Sequence, residues 1–450
     1  MLSPILERFV EDSPITVMAQ TLMSRILAPD NIDALFEKYA QRQYQQDLLF
    51  SSLVDLMSTV VCGIHPSVNA AYRKKAKQLA VSTTALYNKL QGVEIEVSQG
   101  LLKETSRQLK QLISPMGDEP VSMLPGYSMR IVDGTCLAST DHRLKVTRNY
   151  RAAPLPGKAI VVFDPTSKLI LDILCEEDGY TQERALFPSL LSQVEPQQVW
   201  MADRNFCTAH FLTTINDKQA FFVIREHKSL PYTVLSELKP VAEIKTGKVF
   251  SQIISLSFGA LVMHCRRILV KLYQPTRNGE TEICILTNLP PEISETKIAE
   301  IYQRRWNIET LFQIVTENFN GEIKTLAYPK AALFSYSMAL VTYNILATIK
   351  YILSVVHGWG KIEAGISDYY LVDEIQGTYR GMIIAVPKND WQLISKLELS
   401  SLLEWLKILA GNVYLKGFRK TPGREKKPRP TLIKDPQRPH ISTARLLRDN

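Results

Sequence analysis

Met129-Arg-Ile-Val-Asp133, Ala159-Ile-Val-Val-Phe163, Leu169-Ile-Leu-Asp-Ile-Leu174, Gln198-Val-Trp-Met-Ala-Asp203 and Ala220-Phe-Phe-Val-Ile224 decide the fold. Each contains a short apolar run, rich in β-branched and aromatic residues, of strand length. Asp164-Pro-Thr-Ser167 joins the second run to the third as a turn. Residues 183–194 read as a helix before the fourth run, and another helix precedes the fifth. Two runs, the first and the fourth, end on an aspartate.

Three strands, helix, strand, helix, strand is the order of an RNase H-like core, an α/β fold with a mixed sheet and helices on both faces. Working outward, residues 114–128 hold three prolines and two glycines and read as a linker. Residues 1–113 before it are helical, with apolar residues at helical spacing in 32–57 and 101–113. After the fifth strand, 226–291 carries strand-like runs at 250–258, 261–272 and 282–287 with no good helix, so it reads as a β-rich insertion. Pro290-Pro-Glu-Ile-Ser294 ends it, and Ser294 is a good N-cap for a long helix. The expected division is a helical N-terminal region (1–113), linker (114–128), core (129–225), insertion (226–291), second part of the core (292–358), C-terminal helices (359–415) and a basic tail (416–450).

Composition narrows the class. At 450 residues two or three domains are expected, and 45% apolar with 22% charged residues is ordinary for a globular chain. Cys62, Cys136, Cys175, Cys207, Cys265 and Cys284 stand singly and the seven histidines form no ligand spacing. That excludes a zinc motif or disulfide framework and fits a reducing cytoplasm. The first residues carry acids too early for a secretory signal. Residues 331–356 are long and apolar, but Lys350 and many Ser, Thr and Tyr mark a buried helix rather than a membrane span. The net charge of +8 is matched by the tail alone, which has eleven Lys/Arg against three acids together with five prolines. Such a tail reads as a phosphate-seeking arm or as a solubilising end.

Acids that converge from distant strands suit divalent-metal chemistry. Mg²⁺ takes hard oxygen ligands and keeps several waters, so a few carboxylates suffice. Two such ions activate the attacking oxygen of a phosphoryl transfer and stabilise the leaving one. Asp133 and Asp203 each end a strand, where open α/β sheets bind ligands, although Asp133-Gly134 also fits a plain turn. Tyr302-Gln-Arg-Arg305-Trp-Asn-Ile-Glu309 lies on the expected long helix. There Tyr302 and Glu309 project about 20° apart and Arg305 about 60° from Tyr302. An ordinary exposed Arg–Glu pair would show the same spacing.

Asp133-Gly-Thr135, Asp203-Arg-Asn-Phe206 and the Tyr302, Arg305, Glu309 helix resemble, in order, the three acidic motifs of bacterial insertion-sequence DDE transposases. The family in view is the one whose third motif is Tyr, two residues, Arg, three residues, Glu, six residues, Lys. It also carries a β-rich insertion between its second and third acids. The resemblance covers residues 125–350 and is thinner elsewhere. It implies catalytic, metal-binding roles for Asp133, Asp203 and Glu309. The implied cofactor is Mg²⁺, with Mn²⁺ substituting, and the partners are double-stranded transposon ends and target DNA, held by a homodimer in the DNA complex. Tyr302 and Arg305 would hold the backbone near the scissile phosphate. A hairpin intermediate with a flipped, stacked base is implied too; the insertion has no Trp and offers Phe250, Phe258 and Tyr273. The chain departs from the motif at Thr316, where the lysine would stand, with Lys324 or Lys330 as replacements.

Other residues point to DNA. Residues 68–92 resemble a helix-turn-helix, with Lys75 on its first helix, Ser82 as cap, and Thr83, Thr84, Tyr87 and Lys89 on the second. Ala80 replaces the usual turn glycine, and an ordinary helical hairpin fits as well. Arg143, Lys145, Arg148, Arg151 and Lys158 make the loop after the first strand basic, and Arg204 follows the second acid. Such cations draw a polyanion toward a carboxylate site, though a solvated loop looks the same. Glu176, Glu177, Asp178 and the outward-alternating Asp172 are expected not to be ligands. The reading is a DNA transposase acting in a bacterial cytoplasm, without a membrane. Its rivals are an RNase H-like nuclease that does not join DNA, and an inactive DNA-binding relative or inhibitor.

Overall fold

The computed structural model describes residues 3–43, 47–117, 122–276 and 279–421. Most of the basic tail, 422–450, and residues 118–121 of the linker lie outside them. The N-terminal region is helical: α1 (Pro4–Asp12), α2 (Pro14–Ile26), α3 (Pro29–Tyr39), α4 (Phe50–Val61), α5 (Val68–Leu79), α6 (Thr83–Gly92) and α7 (Ile95–Ile113). The core follows with β1 (Ser128–Cys136), β2 (Lys158–Asp164), β3 (Leu169–Glu176), α8 (Phe187–Ser192), β4 (Gln198–Ala202), α9 (Ala209–Asp217) and β5 (Phe221–Arg225). Next come β6 (Thr233–Val234), β7 (Lys239–Ile244), β8 (Gly247–Phe258), β9 (Leu261–Leu272) and β10 (Glu282–Thr287). The chain continues as α10 (Glu295–Gln303), α11 (Trp306–Asn318), α12 (Pro329–His357), α13 (Trp359–Gly365), α14 (Asp368–Ala385), α15 (Lys388–Ser395) and α16 (Leu399–Asn412).

The strands lie in one sheet in the order β3-β2-β1-β4-β5-β10-β9-β8-β6, with β7 also on β8. β1 runs antiparallel to β2 and parallel to β4, and β4 is parallel to β5. These are the order and directions expected of an RNase H-like core. The β-rich segment does not stand apart: β10 pairs with β5 and prolongs the core sheet. Period-two alternation buries both faces. Val132, Trp200 and Phe222 join the apolar cluster that includes Phe187 and Leu190 of α8 and Phe211 of α9, whereas Ile131, Met201 and Val223 join the one that includes α7 and α12.

The axis of the second cluster is α12, long and apolar enough to cross a membrane yet enclosed by protein. A helix apolar all round belongs inside a core, as its Ser, Thr and Tyr content suggested. Its Asn344 grips β3: Nδ2 donates to the Ile170 carbonyl and Oδ1 accepts from the Ile170 amide, both at 2.8 Å. The ladder of β2 and β3 shifts register nearby, between Val162 and Phe163, and β3 is the edge strand, so Asn344 supplies main-chain partners where no further strand lies.

Three local expectations are corrected. Residues 183–194 form a 3-10 turn (Glu183–Leu186) followed by the short α8, because Pro188 sits at a helix start rather than inside one. Asp172 does not face water: the side chain is buried and pairs with Lys103 of α7 at 3.6 Å. The helix expected from Ser294 is two helices, because the amides of Arg304 and Arg305 turn back to Ile301 and Tyr302 in tight three-residue turns.

α14 caps α2. Glu374 Oε1 accepts from the Thr16 amide at 3.2 Å and from its hydroxyl at 3.3 Å. Burial pushes the Glu374 carboxyl up to about 7, against the opposing pull of these hydrogen bonds. With the folded pKa above the unfolded one, the neutral form favours folding. Stability is full below about pH 4.5 and is lost as pH rises toward 7. Glu374→Gln is therefore expected to stabilise the protein by on the order of 1–2 kcal/mol at pH 8, discounted for partial exposure, and by little at pH 4.5. Urea midpoints at the two pH values test this; an equal shift at both removes the titration.

Candidate active site

Strand register places the site. Ile131 of β1 pairs with Met201 of β4, and Met201 with Val223 of β5. Two residues further along each parallel strand stand Asp133, Asp203 and Arg225. Steps of two keep all three on the sheet face of Ile131, Met201 and Val223, the face that α11 and α12 cover. These are the carboxyl ends of the parallel strands, where such sheets bind ligands.

The third acid reaches this point through Arg305. Arg305 Nη1 lies 3.3 Å from Asp133 Oδ2, and Nη2 lies 2.6 Å from Glu309 Oε1. Glu309 stands in the first turn of α11, where the helix dipole favours a carboxylate. Asp203 Oδ1 accepts the Asn205 amide at 2.9 Å and caps the following turn. Asp203, Arg204, Arg225, Glu280, Tyr302, Arg305, Trp306 and Glu309 are among the residues lining a cavity of about 740 Å³. Because the guanidinium stands between Asp133 and Glu309, no three acids close on a common point among the described residues.

The electrostatics are those of a site rich in negative charge. Burial pushes the Asp133 carboxyl up to about 7; Arg305 and the Gly134 amide pull it down, while Asp203 and Glu183 push it further up. Arg305 is 8% exposed and its Nε is buried without a hydrogen-bond partner. Burial raises the neighbouring Tyr302 hydroxyl to about 12, so it is a proton donor at neutral pH.

The other candidates lie further out. Arg204 lines the same cavity and meets Glu280 at 3.5 Å, and Glu280 also holds Arg225 at 2.7 Å. Arg143, Lys145 and Arg148 are exposed on one loop. Asp141 of that loop donates its amide to the carbonyl of the exposed Lys324 at 2.8 Å. Arg143 also acts electrostatically on Tyr87, so the loop flanks α6. α5 and α6 form a helical hairpin with Ala80 left-handed at φ 52° and Ser82 capping through the Ala85 amide. Thr83 is half-exposed at its start. Lys75 is ion-paired with Asp55, and Lys89 lies over the Phe36 ring at 4.3 Å. Thr316 is exposed, its hydroxyl turned back to the Phe312 and Gln313 carbonyls.

Sequence reasoning missed Glu183, Arg225, Glu280 and Trp306. Arg225 had a usable signal, since it ends a strand in the same alternation as the two aspartates. Trp306 follows Arg305 directly and is 60% exposed at the cavity.

Residues 124–345 match the family model described as "Transposase DDE domain". That segment, just under half of the chain, is similar to a transposase DDE domain. Asp133, Asp203, Tyr302, Arg305 and Glu309 all fall inside it. Its second acid and its Glu309 helix are separated by the strands that prolong the core sheet. No curated protein sequence matches the chain significantly. Among solved structures, the cryo-EM structure of a piggyBac transposase synaptic complex with hairpin DNA is similar over 86% of this chain and 86% of that one, at 12% identity and a TM-score of 0.40.

Proposed function

We propose that this protein is a DNA transposase of the bacterial insertion-sequence kind, which cleaves transposon ends and joins them to target DNA in a Mg²⁺-dependent reaction. What carries the reading is that Arg305 holds both Asp133 and Glu309 while Asp203 lines the same cavity as Arg305 and Glu309, within a segment similar to a transposase DDE domain. The donor set fits a hard divalent cation: the donors are carboxylate oxygens, and the half-buried Asp133 carboxyl is pushed up by burial despite its pairing with Arg305. Bound there, Mg²⁺ or Mn²⁺ would supply the charge that stabilises the attacking and leaving oxygens.

The residues divide the remaining work. Asp133, Asp203 and Glu309 hold the cation. Arg305 releases Asp133 and Glu309 and turns its planar fork to a phosphate of the DNA end, while Tyr302 donates its proton to a neighbouring phosphate oxygen. Arg204 adds positive charge at the cavity wall. Trp306 offers a flat exposed face on which a displaced base can stack, suiting a hairpin pathway better than Phe250, Phe258 or Tyr273 because it lies at the cavity. Arg143, Lys145, Arg148 and Lys324, with the α5–α6 hairpin and its Lys75, Thr83 and Lys89, grip the flanking duplex. Two copies of the chain act on paired ends, in the cytoplasm of a bacterial cell.

Purified protein with duplex element ends is expected to cut them with Mg²⁺ or Mn²⁺ and to give joined product on a target plasmid. Cutting without joining would mark a nuclease. No metal-dependent cutting at all would mark the inactive relative or inhibitor that Thr316 at the lysine position favours.

A further inference from the structure

Glu183 opens the 3-10 turn before α8, far in sequence from Asp133, yet its carboxylate lies against Gly134. A Cβ at Gly134 would fall 2.4 Å from Glu183 Oε1 and 2.6 Å from Cδ. The bare backbone beside Asp133 is what admits this side chain. On its other side Glu183 lies near the Asn205 side chain, two residues beyond Asp203, which pulls its carboxyl down. It therefore bridges β1 just beyond Asp133 and the turn that follows Asp203.

The cations nearby are engaged elsewhere. Lys158 acts on Glu183, but its ammonium donates to the Thr181 carbonyl at 2.6 Å. Arg184 donates to the Asn205 carbonyl at 3.4 Å. Arg305 gives Nη1 to Asp133 and Nη2 to Glu309 and keeps a buried, unpartnered Nε. A half-buried carboxylate set beside two others without an ion pair among the described residues is unfavourable unless a cation joins them.

We propose that Glu183 gives an oxygen, directly or through a bound water, to the divalent cation that Asp133 and Asp203 hold. The assignment rests on the metal-site reading above and adds a fourth carboxylate, from the start of α8, to the acids of the domain. Gly134 then keeps open the space that this carboxylate occupies.

Mn²⁺ titration of the full-length protein without DNA, followed by electron paramagnetic resonance, tests it. Glu183→Gln is expected to weaken Mn²⁺ binding roughly tenfold or more with its melting curve unchanged. Gly134→Ala is expected to weaken binding similarly while removing no acid. Asp203→Asn serves as reference for the site itself. Wild-type Mn²⁺ affinity in Glu183→Gln, with binding lost in Asp203→Asn, overturns the assignment and leaves the metal-site reading standing. So does a lowered melting point with unaltered affinity, which marks a structural role. Unchanged binding in both Glu183→Gln and Asp203→Asn overturns the two together.

Discussion

Glu309→Ala protein is expected to bind element ends about as tightly as wild type and to cut them about 10³-fold or more slowly. The size follows from the role: a metal carboxylate acts on the transition state, and several kcal/mol of charge stabilisation is about three powers of ten in rate. The structure separates this loss from misfolding. Glu309 is exposed, in the first turn of α11, and its carboxylate meets Arg305. Arg305 keeps Asp133 when Glu309 is gone. The basic loop of Arg143, Lys145 and Arg148 belongs to another element, so end binding has no reason to fall. Single-turnover cleavage and a gel-shift assay on the same preparation give both numbers. Cutting at the wild-type rate would remove Glu309 from the chemistry.

Asn344→Leu is expected to destabilise the protein by about 2–5 kcal/mol. The substitution keeps the bulk of the side chain and deletes both hydrogen bonds to Ile170. Asn344 is 0% exposed, so no water replaces them. Each dry main-chain group costs about 1–3 kcal/mol. The loss falls where the β2–β3 register is irregular, so the damage is local to the sheet edge under α12. Denaturant unfolding followed by Trp200 and Trp359 fluorescence measures it. A change below about 0.5 kcal/mol would mean the main chain re-pairs across the irregularity.

Much of the fold was legible because period and punctuation are local properties. The apolar runs at β1 to β5 alternate so that neighbouring residues serve opposite faces, and the three prolines of 114–128 break the helical pattern before them. Asp133 and Asp203 stood out as acids after apolar runs, although β1 does not end at Asp133 but continues to Cys136 in its pairing with β2. The hidden parts depend on tertiary geometry. Asp172 alternates correctly but lies under α7, which no pattern within β3 records. The break at Arg304 and Arg305 has neither proline nor glycine to announce it. The closeness of Glu183 to Gly134 is a relation between residues about fifty apart. The β-rich segment was legible as strands, but its pairing with β5 was not, because strand neighbours are not written in alternation.

That pairing sets an order of assembly. Arg225 meets Ile285 across the seam of β5 and β10, about sixty residues apart, and contacts at such separation form late. As the chain leaves the ribosome, β5 waits with an unpaired margin until β10 has been made, and the glutamate of α11 comes later still. A partly synthesised chain therefore holds Asp133 and Asp203 without Glu309, and its core sheet lacks the margin that β10 supplies.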